Sequence, residues 1–223
     1  MDNGAMIQDR DQDHLASRIA SLRADLASMD PCVFASHTGA EYTSTGTKKG
    51  EFRLSMWDRP VVLTFPDFGG HDEPSGRELS SMMQALLLYY FRLSDGTPLA
   101  NHWIAFSELP DGRFYNQAFQ GYSGKVIARE FGNDLEAFRR NASKIGGQEH
   151  AQDQALGDAA YVFQVLPHVA LLAVYWCGDE DFPASCQILF DVSVGHHLST
   201  DACAILGSTL THRLVKGYGE ASR

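Results

Sequence analysis

Carboxylates and imidazoles crowd into one stretch of this chain. Between Ile145 and His212 there is no lysine or arginine, yet the stretch holds Glu149, Asp153, Asp158, Asp179, Glu180, Asp181, Asp191 and Asp201. It also holds His150, His168, His196, His197 and His212. Imidazole and carboxylate groups without competing cations suit a divalent metal or a cationic ligand. The alternative is that buried strands exclude lysine anyway and that the acids pair with bases elsewhere, such as Arg139 and Arg140. Asp179-Glu180-Asp181 is the densest group. Like charges this close predict at least one raised carboxyl, which with Asp191 could serve acid–base chemistry. A solvated turn is the other reading. His196-His197 offers imidazole, a ligand for zinc, iron or cobalt. On an extended chain adjacent residues point opposite ways, so one of the pair would face a site. A hydrogen-bonded structural histidine is the alternative.

Two further groups have a chemical reading. Cys177 and Cys186 are spaced as a hairpin pair could be, as thiolate ligands or a redox couple. With no C-x-x-C pair in the chain, reduced thiols packed as small hydrophobes are the plainer expectation for all four cysteines. Tyr89, Tyr90, Phe91, Trp103, Phe106, Phe114 and Tyr115, with Trp176, could line a flat pocket for a large planar ligand. They could equally be core.

The elements that must position these groups follow from periodicity. A disordered tail is expected over 1–11. Leu15, Ile19, Leu22, Leu26 and Met29 form a helical stripe over 12–29, ended by Asp30-Pro31. Residues 38–50 read as a polar turn. Residues 51–57 and 61–65 read as a hairpin about Asp58-Arg59-Pro60, with a loop over 66–75. Ser75-Gly76-Arg77-Glu78 matches a capping box before the helix carrying Leu79, Met82, Met83, Leu86, Leu87, Tyr90 and Phe91. Residues 101–109 and 112–119 read as short extended segments. A helix follows over 124–145, interrupted at Gly132-Asn133, then a loop over 146–158. Strands are expected at 159–165, 168–176 and 187–194, and a last helix starts near Ser199. Clustered rather than alternating elements predict an α+β fold, an antiparallel or mixed sheet with about four helices packed on it. A single domain over 12–223 is expected, with a candidate sub-boundary in the 146–158 loop.

The chain has 223 residues and a formal charge of −10. That argues against nucleic acid or an anionic membrane as the main partner. No long apolar run and no signal-peptide pattern is present, so a cytoplasmic protein is expected. P-loop, dinucleotide, nucleophile-elbow and zincin motifs are absent; Gly121-Tyr122-Ser123-Gly124-Lys125 has the wrong spacing for a P-loop.

Residues 175–202, YWCGDEDFPASCQILFDVSVGHHLSTDA, resemble the signature of a bacterial and archaeal family, the domain of unknown function DUF3786. Trp176, Gly178 to Pro183, Ile188 to Asp191 and His197 to Thr200 carry the likeness, with Asp181 for Glu and Ser199 for Pro as mild departures. Residues 86–119 also fit, through the Leu-rich helix and the Phe-x-Glu-Leu run that ends in Glu108 and Leu109. Residues 157–167 match a third block. The resemblance brings no established activity. It implies, through fusions of some members to an iron–sulfur cluster domain, redox or corrinoid-linked biology in anaerobes. The expected function is accessory: a module that binds a corrinoid or other tetrapyrrole, or docks an iron–sulfur or corrinoid protein. His197, His196, Trp103, Tyr115, Tyr90, Trp176 and Glu108 are its candidate contacts. One alternative is an enzyme using Asp179, Glu180, Asp181, Asp191 and His197, with or without a divalent metal. Another is a structural interaction domain.

Overall fold

Ile19, Leu22 and Leu26 recur at three- and four-residue spacing, and all three are buried along helix α1, Asn3–Leu26. The computed structural model describes residues 3–150 and 156–221, with side chains over 15–150 and 156–216. Of the tail expected over 1–11, residues 1–2 lie outside the described residues and α1 takes in the rest. Met29, expected on the apolar stripe, is exposed because α1 stops at Leu26. Asp30 instead opens a second helix, α2, Pro31–Thr38. Its carboxylate accepts from the Cys32 N–H at 2.9 Å, and Pro31 sits where a missing N–H costs nothing.

The polar stretch after α2 is not a turn alone. It holds β1, Glu41–Gly46, which is almost wholly exposed and so shows no apolar alternation. The expected hairpin is β2, Lys49–Met56, and β3, Arg59–Phe65, turning through Trp57 and Asp58 at positive φ. With β4, Gly70–Asp72, they form an antiparallel sheet in the order β1-β2-β3-β4. Helix α3, Ser81–Leu93, starts later than the expected capping box. Ser80 caps it by accepting from the Met83 N–H. The Ser75 hydroxyl donates to Asp72 and its oxygen accepts from the Arg77 N–H at 3.3 Å, while the Glu78 carboxylate accepts from the Gln84 side chain, so both serve the turn ahead of α3. Phe34, Phe52, Phe68 and Phe91 meet edge to face and stacked at 5.0–6.1 Å between the sheet and these helices.

The chain divides into two compact units, Met1–Thr97 with His196–Leu198, and Pro98–Gly195 with Ser199–Arg223. In the second unit, β5, Trp103–Ala105, leads through a 3-10 turn to α4, Gly112–Tyr122. The extended segment expected over 112–119 is therefore a helix. Tyr115, Phe119 and Tyr122 recur at helical spacing, and Phe119 is buried while Phe114 is 91% exposed. Helices α5, Gly124–Phe131, and α6, Leu135–Lys144, divide at Gly132-Asn133 as expected, and Asp134 caps α6 through the Ala137 N–H. The 146–158 loop contains β6, Gln148–Glu149, and its residues 151–155 lie outside the described residues. Strands β7, Ala159–Leu166, β8, Val169–Trp176, and β9, Ser185–Asp191, follow, and α7, Thr200–Ala221, closes the chain. The sheet is antiparallel, in the order β5-β9-β8-β7-β6.

The fold is α+β, as the clustering of elements predicts, with both sheets antiparallel. Seven α-helices occur among the described residues, α4 to α7 in the second unit. No helix among the described residues is long and apolar enough to cross a membrane.

Candidate functional site

The acidic turn after β8 is organised by its own backbone. One Asp179 carboxylate oxygen accepts from the N–H groups of Asp181 and Phe182, at 2.9 and 2.8 Å. These two donors, Phe182 first, hold the carboxyl below its ordinary value. The raised carboxyl that charge crowding predicts is not found at Asp179. Glu180 and Asp181 are exposed, and Phe182 beside them is 71% exposed.

Asp191 is nearly inaccessible, at 1% exposure. Its Oδ1 accepts from the Ala100 N–H at 3.1 Å, the Ser193 N–H at 3.0 Å and the Ser193 hydroxyl at 2.7 Å. Its Oδ2 accepts from the Asn101 N–H at 2.7 Å. Burial alone would raise this carboxyl, but the four donors outweigh it and the net direction is down. Asp191 is a buried anion that ties the segment before β5 to the end of β9.

In the first unit His197 is fully buried with both ring nitrogens occupied. Nε2 donates to the Thr97 carbonyl at 2.9 Å, so the proton sits there, and Nδ1 faces the Ser94 hydroxyl at 3.2 Å. No nitrogen of His197 is left to ligate a metal or tetrapyrrole. Tyr90 packs beside it at 5.9 Å and donates to the Thr38 carbonyl. The exposed His196 pairs through Nδ1 with Asp95 at 2.8 Å. Hydrogen bonds from Thr97 and then His196 hold the Asp95 carboxyl far below the ordinary range.

The aromatic set does not line one pocket. Trp103 and Trp176 pack on the cluster Ala160, Leu172 and Val174 on one face of the sheet. Phe106 stacks on Phe119 at 4.1 Å in the core. Tyr115 is half-exposed beside a 390 Å³ cleft between α4 and α7. Glu108 caps the 3-10 turn by accepting from the Ala105 N–H at 2.7 Å. Cys177 and Cys186 are free thiols. The register sets Cys186 opposite Tyr175 and Ser185 opposite Trp176, so the two cysteines are not a cross-strand pair. Burial pushes the Cys186 thiol far up and Cys203 to about 12, which suits inert hydrophobes. Among the described residues no three His, Cys, Asp or Glu side chains gather as a metal site would need.

What the second unit does hold is a cavity of about 1050 Å³ along one edge of β9. It arises because β5 is short. Its pairing runs only from Trp103↔Asp191 to Ala105↔Leu189, so Ser185 to Ile188 extend past its end. The start of α5 lies against this edge. A Cβ on Gly124 would stand 2.1 Å from the Cys186 carbonyl oxygen, so only glycine permits the approach. The lining comes from β9 (Ser185, Gln187, Leu189), from α4 (Asn116, Gln120) and from α5 (Lys125, Arg129). Asn133 and Pro183 border it, and Asn133 also clasps Gly178 through both amide atoms, at 2.7 and 3.2 Å. The segment 183–189 that lines the cavity therefore belongs to the run read as a family signature.

The lining carries two cations and no acid, in a chain with ten more acids than bases. The acids of the 145–212 stretch lie elsewhere, apart from Asp153, which falls outside the described residues. Among the described residues Lys125 has no ion-pair partner, and the largely exposed Arg129 pairs only with its partly buried neighbour Glu130. These residues were not visible as a site in the sequence. Asn116 lies on the segment expected to be extended over 112–119 and Gln120 just past it, so their shared face appears only in α4; Lys125 and Arg129 share a face already on the helix expected over 124–145, but nothing local marks them as facing a cavity.

Comparison with curated proteins finds no match, and none is found among solved structures. The family model that does match covers residues 30–213, most of the chain, and takes in the walls of the cavity. The chain belongs to the family described as a domain of unknown function, DUF3786.

Proposed function

We propose that the protein is a small-molecule binding module whose ligand is an organic anion held in the cavity between α4, α5 and β9. The observation that carries this reading is the lining: about 1050 Å³ with Lys125 and Arg129 in it and no carboxylate. Its size is that of sites for ligands well beyond a single ion. Cations on a concave wall focus potential into it, and they do so here against the negative field of the whole chain. The amide and hydroxyl groups of Gln120, Gln187 and Ser107 add neutral hydrogen-bonding partners.

The tetrapyrrole or corrinoid expectation enters as one arm of the test. Carboxylates of a porphyrin would satisfy Lys125 and Arg129, but its ring faces would meet no aromatic side chain, for none lines the cavity. A role in anaerobic redox metabolism, or docking to an iron–sulfur or corrinoid protein, rests on the resemblance alone. An acid–base enzyme would have to work without Asp191 and His197, which spend their polar atoms on the protein itself.

The test is titration with citrate by calorimetry, and with protoporphyrin IX and hydroxocobalamin by visible absorbance. Wild type is compared with the K125E/R129E variant. At least one probe should bind wild type, weaken with added salt, and lose ten-fold or more in the variant. Equal affinity in the two proteins, or no binding of any probe, would overturn the proposal.

A further inference from the structure

Beside its two cations the cavity exposes neutral polar groups that the protein does not use. Lys125, Ala128 and Arg129 line it at i, i+3 and i+4, so the positive charge comes from one face of α5. Three other elements each supply an amide or a hydroxyl: Gln120 from the last turn of α4, Gln187 from β9, and Ser107 from the 3-10 turn Phe106–Glu108. Among the described residues none of these three side chains has a hydrogen-bond partner. Gln187 is exposed, and no polar atom of the half-buried Gln120 or Ser107 is shielded from solvent. Gln120 Oε1 lies 3.0 Å from where a Gly124 Cβ would stand, which puts this amide where α5 meets β9.

These groups select by chemistry. A glutamine amide donates through nitrogen and accepts through oxygen, and a serine hydroxyl does both, so each can meet a ligand hydroxyl in either sense. The spacing of Lys125 and Arg129 sets their Cβ atoms about 5–6 Å apart, close enough for one anionic group to reach both. Their two charges match the charge of about −1.5 to −2 on a phosphate monoester. A monocarboxylate would leave one cation unmatched. No aromatic ring lines the cavity, so hydrogen bonds rather than stacking recognise the body of the ligand.

We propose that the ligand is the phosphate ester of a polyol: its phosphate sits between Lys125 and Arg129, and its hydroxyl groups exchange hydrogen bonds with Gln120, Gln187 and Ser107. This deepens the reading of the cavity as an anion site and rests on it. An ester of the same size without hydroxyls would keep the phosphate contacts, displace water from the amides and leave them unpaired, which is how such a site discriminates.

The experiment compares two phosphate esters by calorimetry on the full chain: glucose 6-phosphate, and cyclohexylmethyl phosphate, which has a six-membered ring and no hydroxyl. Proteins are wild type, Q120L/Q187L, Q187L and K125E, each checked for folding by circular dichroism. Wild type should prefer glucose 6-phosphate by about thirty-fold, the fold-change of two hydrogen bonds of ordinary strength. Q120L/Q187L should bind the two esters within about three-fold of one another, and Q187L, altered at an exposed strand position, should lower the preference by about five-fold. K125E should weaken both esters by about ten-fold and keep the preference. Equal or reversed binding of the two esters by wild type, with K125E weakening both, overturns the polyol proposal and leaves the anion site standing. An undiminished preference in Q120L/Q187L and Q187L overturns it as well. Failure of folded wild type to bind either ester at millimolar concentration overturns it too, and citrate binding then decides whether the anion reading survives.

Discussion

Replacing Asp191 by asparagine tests whether the family-like motif ILFD at the end of β9 is a structural clasp. The substitution keeps shape and removes charge. Its amide oxygen can keep the place of Oδ1, facing Ala100, the Ser193 N–H and the Ser193 hydroxyl. Its NH₂ must then face the Asn101 N–H, which donates to Oδ2 at 2.7 Å in the wild type. One charge-assisted hydrogen bond is lost, worth about 1.5–3 kcal/mol, and a buried donor is left unpaired at about 1–3 kcal/mol. The expected destabilisation is about 3–5 kcal/mol, a large part of the margin of an ordinary domain. Direction with pH follows from the lowered carboxyl. The unfolded carboxyl titrates near 4, so the native anion contributes fully above about pH 5 and its contribution is lost as pH falls through 4 and below. The variant should therefore lose stability at pH 7 and show a shallower acid limb. Asp72, Asp95 and Asp179, all also lowered, retain their share. Urea unfolding from pH 7 to 3 measures this, and amide exchange over residues 98–102 and 191–195 locates it. A variant within about 0.5 kcal/mol of wild type, or one with the same acid limb, would refute the reasoning.

Two other substitutions probe different links. Gly124→Ala should destabilise the second unit by about 1–3 kcal/mol, because the added methyl meets the Cys186 carbonyl at 2.1 Å and α5 must move off β9; unchanged thermal unfolding would show that the edge is looser than drawn. His197→Ala should cost about 2–4 kcal/mol by removing a buried ring and the partners of Ser94 and Thr97. Citrate affinity in that variant, measured below its unfolding transition, should stay within two-fold of wild type. A ten-fold loss would return His197 to the list of ligand contacts.

The amino-acid sequence by itself determined what depends on local pattern. The stripe Ile19, Leu22, Leu26, the β2–β3 hairpin, the apolar strands β7 to β9 and the start of α7 near Ser199 all follow from periodicity and capping, and the α+β class follows from their clustering. The family likeness was likewise legible in the linear run from Trp176 to Thr200.

Function-bearing geometry was not legible, because polar groups take their chemistry from what they touch across the fold. The same carboxylate type is a turn-forming acceptor at Asp179 and a buried clasp at Asp191, and the difference lies in donors from residues up to 91 positions away. His197, so close to a ligand in appearance, is consumed by Ser94 and Thr97 about a hundred residues earlier. The acid surplus of the 145–212 stretch, conspicuous on paper, contributes no carboxylate among the described residues to the cavity between α4, α5 and β9. That cavity depends on β5 ending early, on α4 being a helix where local pattern suggested a strand, and on Gly124 letting α5 approach β9. Each of these is a relation between distant segments, which only tertiary packing decides.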